Sequence, residues 1–245
     1  MPTESNEGCV SLHSGSINVE RAEQHHGNPH GLVSANPVVV FVHQYSIMGG
    51  SSSLMSGMAS LVTQRGFPAV TFDLRGVNNS SGWKTLTGHK ETQDVVDVCS
   101  WCVKNLQAQN IVIVGSSAGA PIGGSAVDQL PEIRGYVGIG YVFGSLASLL
   151  FGGHYKKILQ SQKPKLFIHG DGDGFTSTST FMNYFKSAED PKEMRVLPNV
   201  GHFEMEGPAY DSYMATQIVD FINKYLPREE KIPADTSSAA AVDKQ

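Results

Sequence analysis

Ile111-Val112-Ile113-Val114-Gly115-Ser116-Ser117-Ala118-Gly119 is the stretch that decides how this chain is read. Four consecutive β-branched residues predict a short strand covered on both faces. The G-x-S-x-G that follows stands between this strand and a segment of helical character. That is the setting in which a serine is held on a tight turn with its hydroxyl exposed. The two glycines let strand and helix close around a strained residue. A serine-glycine turn without chemistry has the same local signature, so the rest of the chain must decide.

Working outward, Val38 to Val42 is a second apolar run of the same kind. Leu54, Met58, Leu61 and Val62 recur at helical spacing, with Gly66 as a stop. Pro68 to Asp73 predicts a strand, and Glu91 to Leu106 a helix with Val95, Val98/Cys99, Cys102/Val103 and Leu106 along one face. Beyond the serine turn, strands are expected at 136–142, 165–169 and 194–197, and helices at 178–188 and 209–226. Cys9-Val10-Ser11-Leu12 and Ile17-Asn18-Val19 alternate weakly, as edge strands do. Strands alternating with helices predict an α/β fold, a mostly parallel central sheet with helices on both faces. Residues 1–7 and 227–245 are expected to be disordered, leaving one domain over 8–226.

Composition narrows the function classes. The 245 residues are 40% hydrophobic and 17% charged, with a net charge of −5, which suits a globular protein. The acidic balance argues against nucleic acid as a partner. No apolar run reaches the ~18–20 residues that span a bilayer. The polar, acidic N-terminal residues have neither a basic start nor an apolar core, so a cytoplasmic location is expected. Three cysteines, Cys9, Cys99 and Cys102, fit a reducing compartment. Cys99 and Cys102 form a C-x-x-C, but mid-helix and without a second pair, so packing is expected of them. His25, His26 and His30 share a turn-rich loop with no helpful metal-ligand spacing.

A serine nucleophile needs a base, and the base needs an orienting group. In an open α/β sheet these must come from the ends of later strands. Two segments qualify: His169-Gly170-Asp171-Gly172-Asp173-Gly174 and Gly201-His202-Phe203. The order serine, aspartate, histidine is the one used by α/β-hydrolases. On these motifs, over residues 33–226, the chain resembles the α/β-hydrolase superfamily. The resemblance implies Ser117 as nucleophile, His202 as general base and acid, and Asp173 as the triad acid, with Asp171 as its rival. It implies an oxyanion hole made by the backbone N–H groups of Ala118 and Tyr45. Tyr45 lies in His43-Gln44-Tyr45-Ser46-Ile47-Met48-Gly49-Gly50, which resembles the His-x-x-x-x-x-Gly-Gly loop of small hydrolases in the superfamily. Gln44 stands where many esterases have glycine or proline.

Three further histidine and arginine positions are expected to be structural. His43 precedes the serine, against the expected order, and His169 is expected to hold its loop by hydrogen bonding. Arg75 lies in Asp73-Leu74-Arg75-Gly76, which resembles a turn common in the superfamily. Only about twenty residues, Phe143 to Pro164, separate the strands that often flank a helical cap, so little or no lid is expected. Phe143, Leu146, Leu149, Leu150 and Phe151 are candidates for an apolar wall, or for core.

The function implied is a serine hydrolase for a small or medium acyl ester or thioester, with no metal or organic cofactor. An acyltransferase or lyase using the same triad, and a ligand-binding protein on a hydrolase scaffold, remain open alternatives.

Overall fold

The computed structural model describes residues 6–12, 15–22, 36–44, 49–145, 149, 151, 153 and 156–227. An antiparallel hairpin, β1 (Asn6–Leu12) and β2 (Gly15–Ala22), opens the chain. It is followed by β3 (Val38–Val42), α1 (Ser56–Gln64), β4 (Ala69–Phe72), α2 (His89–Leu106) and β5 (Ile111–Ser116). Then come α3 (Gly119–Ala126), β6 (Ile133–Ile139), the short α4 (Lys157–Gln160) and β7 (Lys165–Gly170). α5 (Thr178–Ser187), β8 (Lys192–Leu197) and α6 (Pro208–Tyr225) complete the order. The sheet runs β1-β2-β4-β3-β5-β6-β7-β8. β2 pairs antiparallel with β4, and the six strands from β4 to β8 are mutually parallel.

The apolar runs behave as doubly covered strands. Val38, Val40 and Val42 of β3, with Ile111 and Ile113 of β5, face a core closed by α2, α3 and α5. Val39, Phe41, Val112 and Val114 point the other way, into a core closed by α1 and α6. Each of these nine side chains is at most 2% exposed, so neither face needs a polar residue. Cys99 and Cys102 are buried on the inner face of α2, and burial pushes the Cys99 thiol well up.

The chain goes from β3 to β4 on one side and returns to β5 on the other. The β3/β5 border is therefore a switch point, and ligands in such sheets bind beyond the carboxyl ends of the strands there. The loop after β3 and the serine turn after β5 meet at this border.

Several sequence expectations shift. β1 begins at Asn6, so residues 6 and 7 are paired in a strand, while residues 1–5 and 228–245 lie outside the described residues. The first helix starts at Ser56, and its buried stripe is Met58, Ala59 and Val62. Leu54 falls in the preceding 3-10 turn, Ser52–Met55, and is 46% exposed, because the tight turn rotates Met55 inward instead. β6 ends at Ile139 because Gly140 takes φ +56. Phe143 and Phe151 are core residues, Leu149 is exposed, and Leu146 and Leu150 lie outside the described residues. Among the described residues no helix is long and apolar enough to cross a membrane.

Candidate active site

Ser117 occupies the turn between β5 and α3 with φ +52, a left-handed conformation that costs a non-glycine residue about 1 kcal/mol or more. Neighbours hold it there: its N–H donates to the Ile139 carbonyl at 2.9 Å, and its carbonyl accepts from the Ala120 N–H at 3.0 Å. The flanking glycines are required by close approach. A Cβ on Gly115 would lie 2.7 Å from the Ala120 Cα, and one on Gly119 would lie 2.1 Å from the His43 carbonyl oxygen. The turn thus fits only if α3 starts directly against the ends of β3 and β5. Ala118 is the N-cap of α3, at the helix end whose N–H groups lack intrahelical acceptors. Tyr45 lies outside the described residues.

The His202 imidazole reaches the serine from the loop after β8. Its Nε2 is 2.7 Å from the Ser117 Oγ, and its Nδ1 is 2.5 Å from the Asp173 Oδ2. An ionised carboxylate only accepts, so Nδ1 carries the proton and Nε2 is the acceptor for the serine hydroxyl. The other oxygen of Asp173, Oδ1, accepts the Phe175 and Thr176 N–H groups at 2.7 and 3.0 Å. Burial alone would raise the pKa of Asp173. The hydrogen bonds from His202, Thr176 and Phe175 outweigh it and hold the carboxyl below its usual range. Two aromatic rings flank the imidazole: Phe175 at 4.5 Å between centroids and Phe203, edge-on, at 5.5 Å. They are 36% and 62% exposed, so they present apolar surface to solvent beside His202.

Ser117, His202 and Asp173 are thus brought into one hydrogen-bonded chain. Asp171 takes no part in it. Its exposed carboxylate accepts the Asn199 N–H at 2.6 Å, tying the loop after β7 to the loop after β8. His43 is buried, donates from Nδ1 to the Gln44 carbonyl at 2.6 Å and accepts the Leu74 N–H at Nε2, 3.0 Å. Burial holds its pKa below the usual imidazole value. Arg75 makes a two-pronged contact with buried Asp94, through Nε at 2.9 Å and through Nη2. His169 departs from expectation: among the described residues neither ring nitrogen has a hydrogen-bond partner, and the ring stacks on Phe181 at 4.4 Å. Its surroundings offer an aromatic face where the sequence suggested a polar anchor.

One polar contact had no signal in the sequence. The buried Ser116 Oγ donates to Glu206 Oε1 at 2.6 Å. Burial pushes the Glu206 carboxyl up, and hydrogen bonding from Ser116 opposes that rise. Glu206 stands four residues after His202, a spacing no periodicity singles out. Among the described residues no group of three or more His, Cys, Asp or Glu is placed to hold a metal ion.

Comparison with known proteins bears on the fold. Residues 37–150 match the family model for the alpha/beta hydrolase fold. A curated relative, an uncharacterized 31.7 kDa protein from the traX-finO intergenic region of Escherichia coli, is 30% identical over 109 residues. That match takes in 43% of this chain but only 37% of the relative's length. Among solved structures, XC6422 from Xanthomonas campestris, described as an α/β serine hydrolase without lid, superposes with TM-score 0.72 at 20% identity. It covers 94% of this chain and 99% of its own. The Pyrococcus furiosus esterase Pf2001 gives TM-score 0.71 at 17% identity, covering 91% of each chain. At such identities the likeness is one of fold. The protein has the α/β-hydrolase fold, and its structural neighbours include a serine hydrolase without lid and an esterase.

Proposed function

We propose that the protein is a serine hydrolase that cleaves small or medium acyl esters or thioesters through an acyl-enzyme on Ser117. The observation that carries this reading is the unbroken chain from the Ser117 Oγ through His202 to Asp173, on a left-handed serine at the switch point of the sheet. In this reading Nε2 of His202 takes the hydroxyl proton as Oγ attacks the carbonyl carbon. Asp173 stabilises the imidazolium that results. The oxyanion is assigned to the N–H of Ala118 and, on the resemblance alone, to that of Tyr45. His202 then passes its proton to the leaving alkoxide or thiolate. Water, deprotonated by the same nitrogen, releases the acid and restores the serine. The exposed Phe175 and Phe203 rings favour an apolar substrate over a charged one.

The test is hydrolysis of p-nitrophenyl acetate and butyrate by wild type and Ser117→Ala, with fluorophosphonate labelling of each. Wild type is expected to turn over and to be labelled. Ser117→Ala is expected to lose about 10⁴-fold or more in kcat and all labelling. Equal rates in the two proteins would overturn the assignment.

A further inference from the structure

We infer that Glu206 is a positioning residue that ties the turn carrying His202 to Ser116 and thereby fixes the imidazole over Ser117. The inference rests on the functional reading above, but the bond that motivates it is separate. Ser116 and Ser117 are adjacent, and His202 and Glu206 lie four residues apart. Two cross-links therefore run side by side between the same two segments: Ser117 to His202 at 2.7 Å and Ser116 to Glu206 at 2.6 Å. One hydrogen bond leaves a turn free to pivot. Two, from neighbouring residues, set its orientation, and acyl transfer is sensitive to misplacement of about 1 Å.

The turn does not need Glu206 in order to form. Glu206 closes the 3-10 turn Glu204–Glu206, which is anchored at two other points. The Glu204 carboxylate accepts the Gly201 N–H at 2.5 Å, and Met205 is 1% exposed within the core under α6. What Glu206 adds is the link to the strand that carries the nucleophile. The buried Ser116 hydroxyl in turn needs an acceptor, which Glu206 supplies.

The carboxylate also sits in a charged neighbourhood. Facing it are Ser116 at the end of β5, Gln44 after β3, Asp173 after β7 and His202 of its own loop. The Gln44 amide favours the ionised form, although it makes no hydrogen bond of good geometry with any described residue. Ionised Glu206 favours a cationic His202, the state formed during proton transfer, and so supplements Asp173.

Four variants separate position from charge. Glu206→Ala removes both, Glu206→Gln keeps the acceptor for Ser116, Ser116→Ala removes only the donor, and the double alanine variant combines them. With p-nitrophenyl acetate, Glu206→Ala is expected to lower kcat roughly ten- to a hundredfold, the equivalent of one bond to a charged group. KM should stay within about threefold and the thermal midpoint within a few degrees. Ser116→Ala should reproduce most of that loss, and the double variant should add little, because the two residues act through one bond. Glu206→Gln should recover most of kcat and move the acid limb of kcat/KM to lower pH, since the neighbouring negative charge is gone. Unchanged kcat in Glu206→Ala, or fully additive losses in the double variant, would overturn the inference. A readout independent of turnover is the proton NMR resonance of His202 Nδ1–H. Glu206→Ala should shift or broaden it while fluorophosphonate labelling of wild type still reports on Ser117. An unchanged resonance would equally overturn it.

Discussion

His43 and His202 invite comparison because both sit just past a parallel strand, both are buried and both lie in the field of an aspartate, Asp73 and Asp173 respectively. Their hydrogen bonds separate them. His43 spends both ring nitrogens on backbone, one donating to the Gln44 carbonyl and the other accepting the Leu74 N–H. It fastens the end of β3 to the chain leaving β4, and no lone pair is left over. His202 spends both nitrogens on side chains, a carboxylate at Nδ1 and a hydroxyl at Nε2. A side-chain hydroxyl can surrender its proton and a backbone amide cannot, so only the second arrangement can serve acyl transfer. What distinguishes the two residues is the nature of their partners, since both are buried.

The sharpest way to break this comparison is to change what Nδ1 of His202 meets. Asp173→Asn can present an amide N–H to that nitrogen, forcing the proton onto Nε2 and abolishing its acceptor role. Activity on p-nitrophenyl esters is expected to fall about 10³- to 10⁴-fold, with folding preserved by circular dichroism. Asp171→Asn should stay within about threefold, because among the described residues the Asp171 carboxylate bonds the Asn199 N–H and does not reach His202. Comparable losses in the two variants would mean that the aspartate has been misassigned.

The next effect falls on stability. His43→Ala removes the acceptor of a buried N–H and leaves a cavity beside Leu74, which is itself fully buried. A loss of about 3 kcal/mol in urea unfolding is expected, while the folded variant keeps activity within about tenfold. The reverse outcome, with stability intact and activity gone, would make His43 part of the chemistry and erase the contrast.

Much of this arrangement was legible in the sequence, for a physical reason. Strands buried on both faces leave uninterrupted apolar runs, so Val38–Val42 and Ile111–Val114 announce themselves and place everything at their ends. The glycines around Ser117 mark a backbone that must pass close to its neighbours. What stayed hidden was side-chain pairing between distant segments. Nothing near Ser116 points to Glu206, because a hydrogen bond across 90 residues leaves no periodic trace. His169 reads like a polar loop anchor, yet its partner, Phe181, comes from a helix whose rotation the sequence fixes only loosely. Phe143 and Phe151 illustrate the same limit, since an apolar residue after a strand suits core and pocket equally until packing chooses.

The smallest predicted effect concerns the two carboxylates that share the neighbourhood of His202, for they are shifted in opposite directions. Asp173 is held below its ordinary range because its bonds to His202, Thr176 and Phe175 outweigh burial. Its contribution to stability is present above the unfolded value near 3.9 and is lost as pH falls through the lower native value. Glu206 is raised, with burial outweighing its bonds. Its contribution is full below the unfolded value near 4.3 and is lost as pH rises through the higher native one. Asp173→Asn should therefore cost more stability at pH 7 than at pH 3, and Glu206→Gln should cost less at pH 7 than at pH 4. Urea midpoints at those pH values measure both trends. If the trends run in the same direction, the two carboxylates do not differ in what holds them, and the division between an anchored acid and a strained one fails.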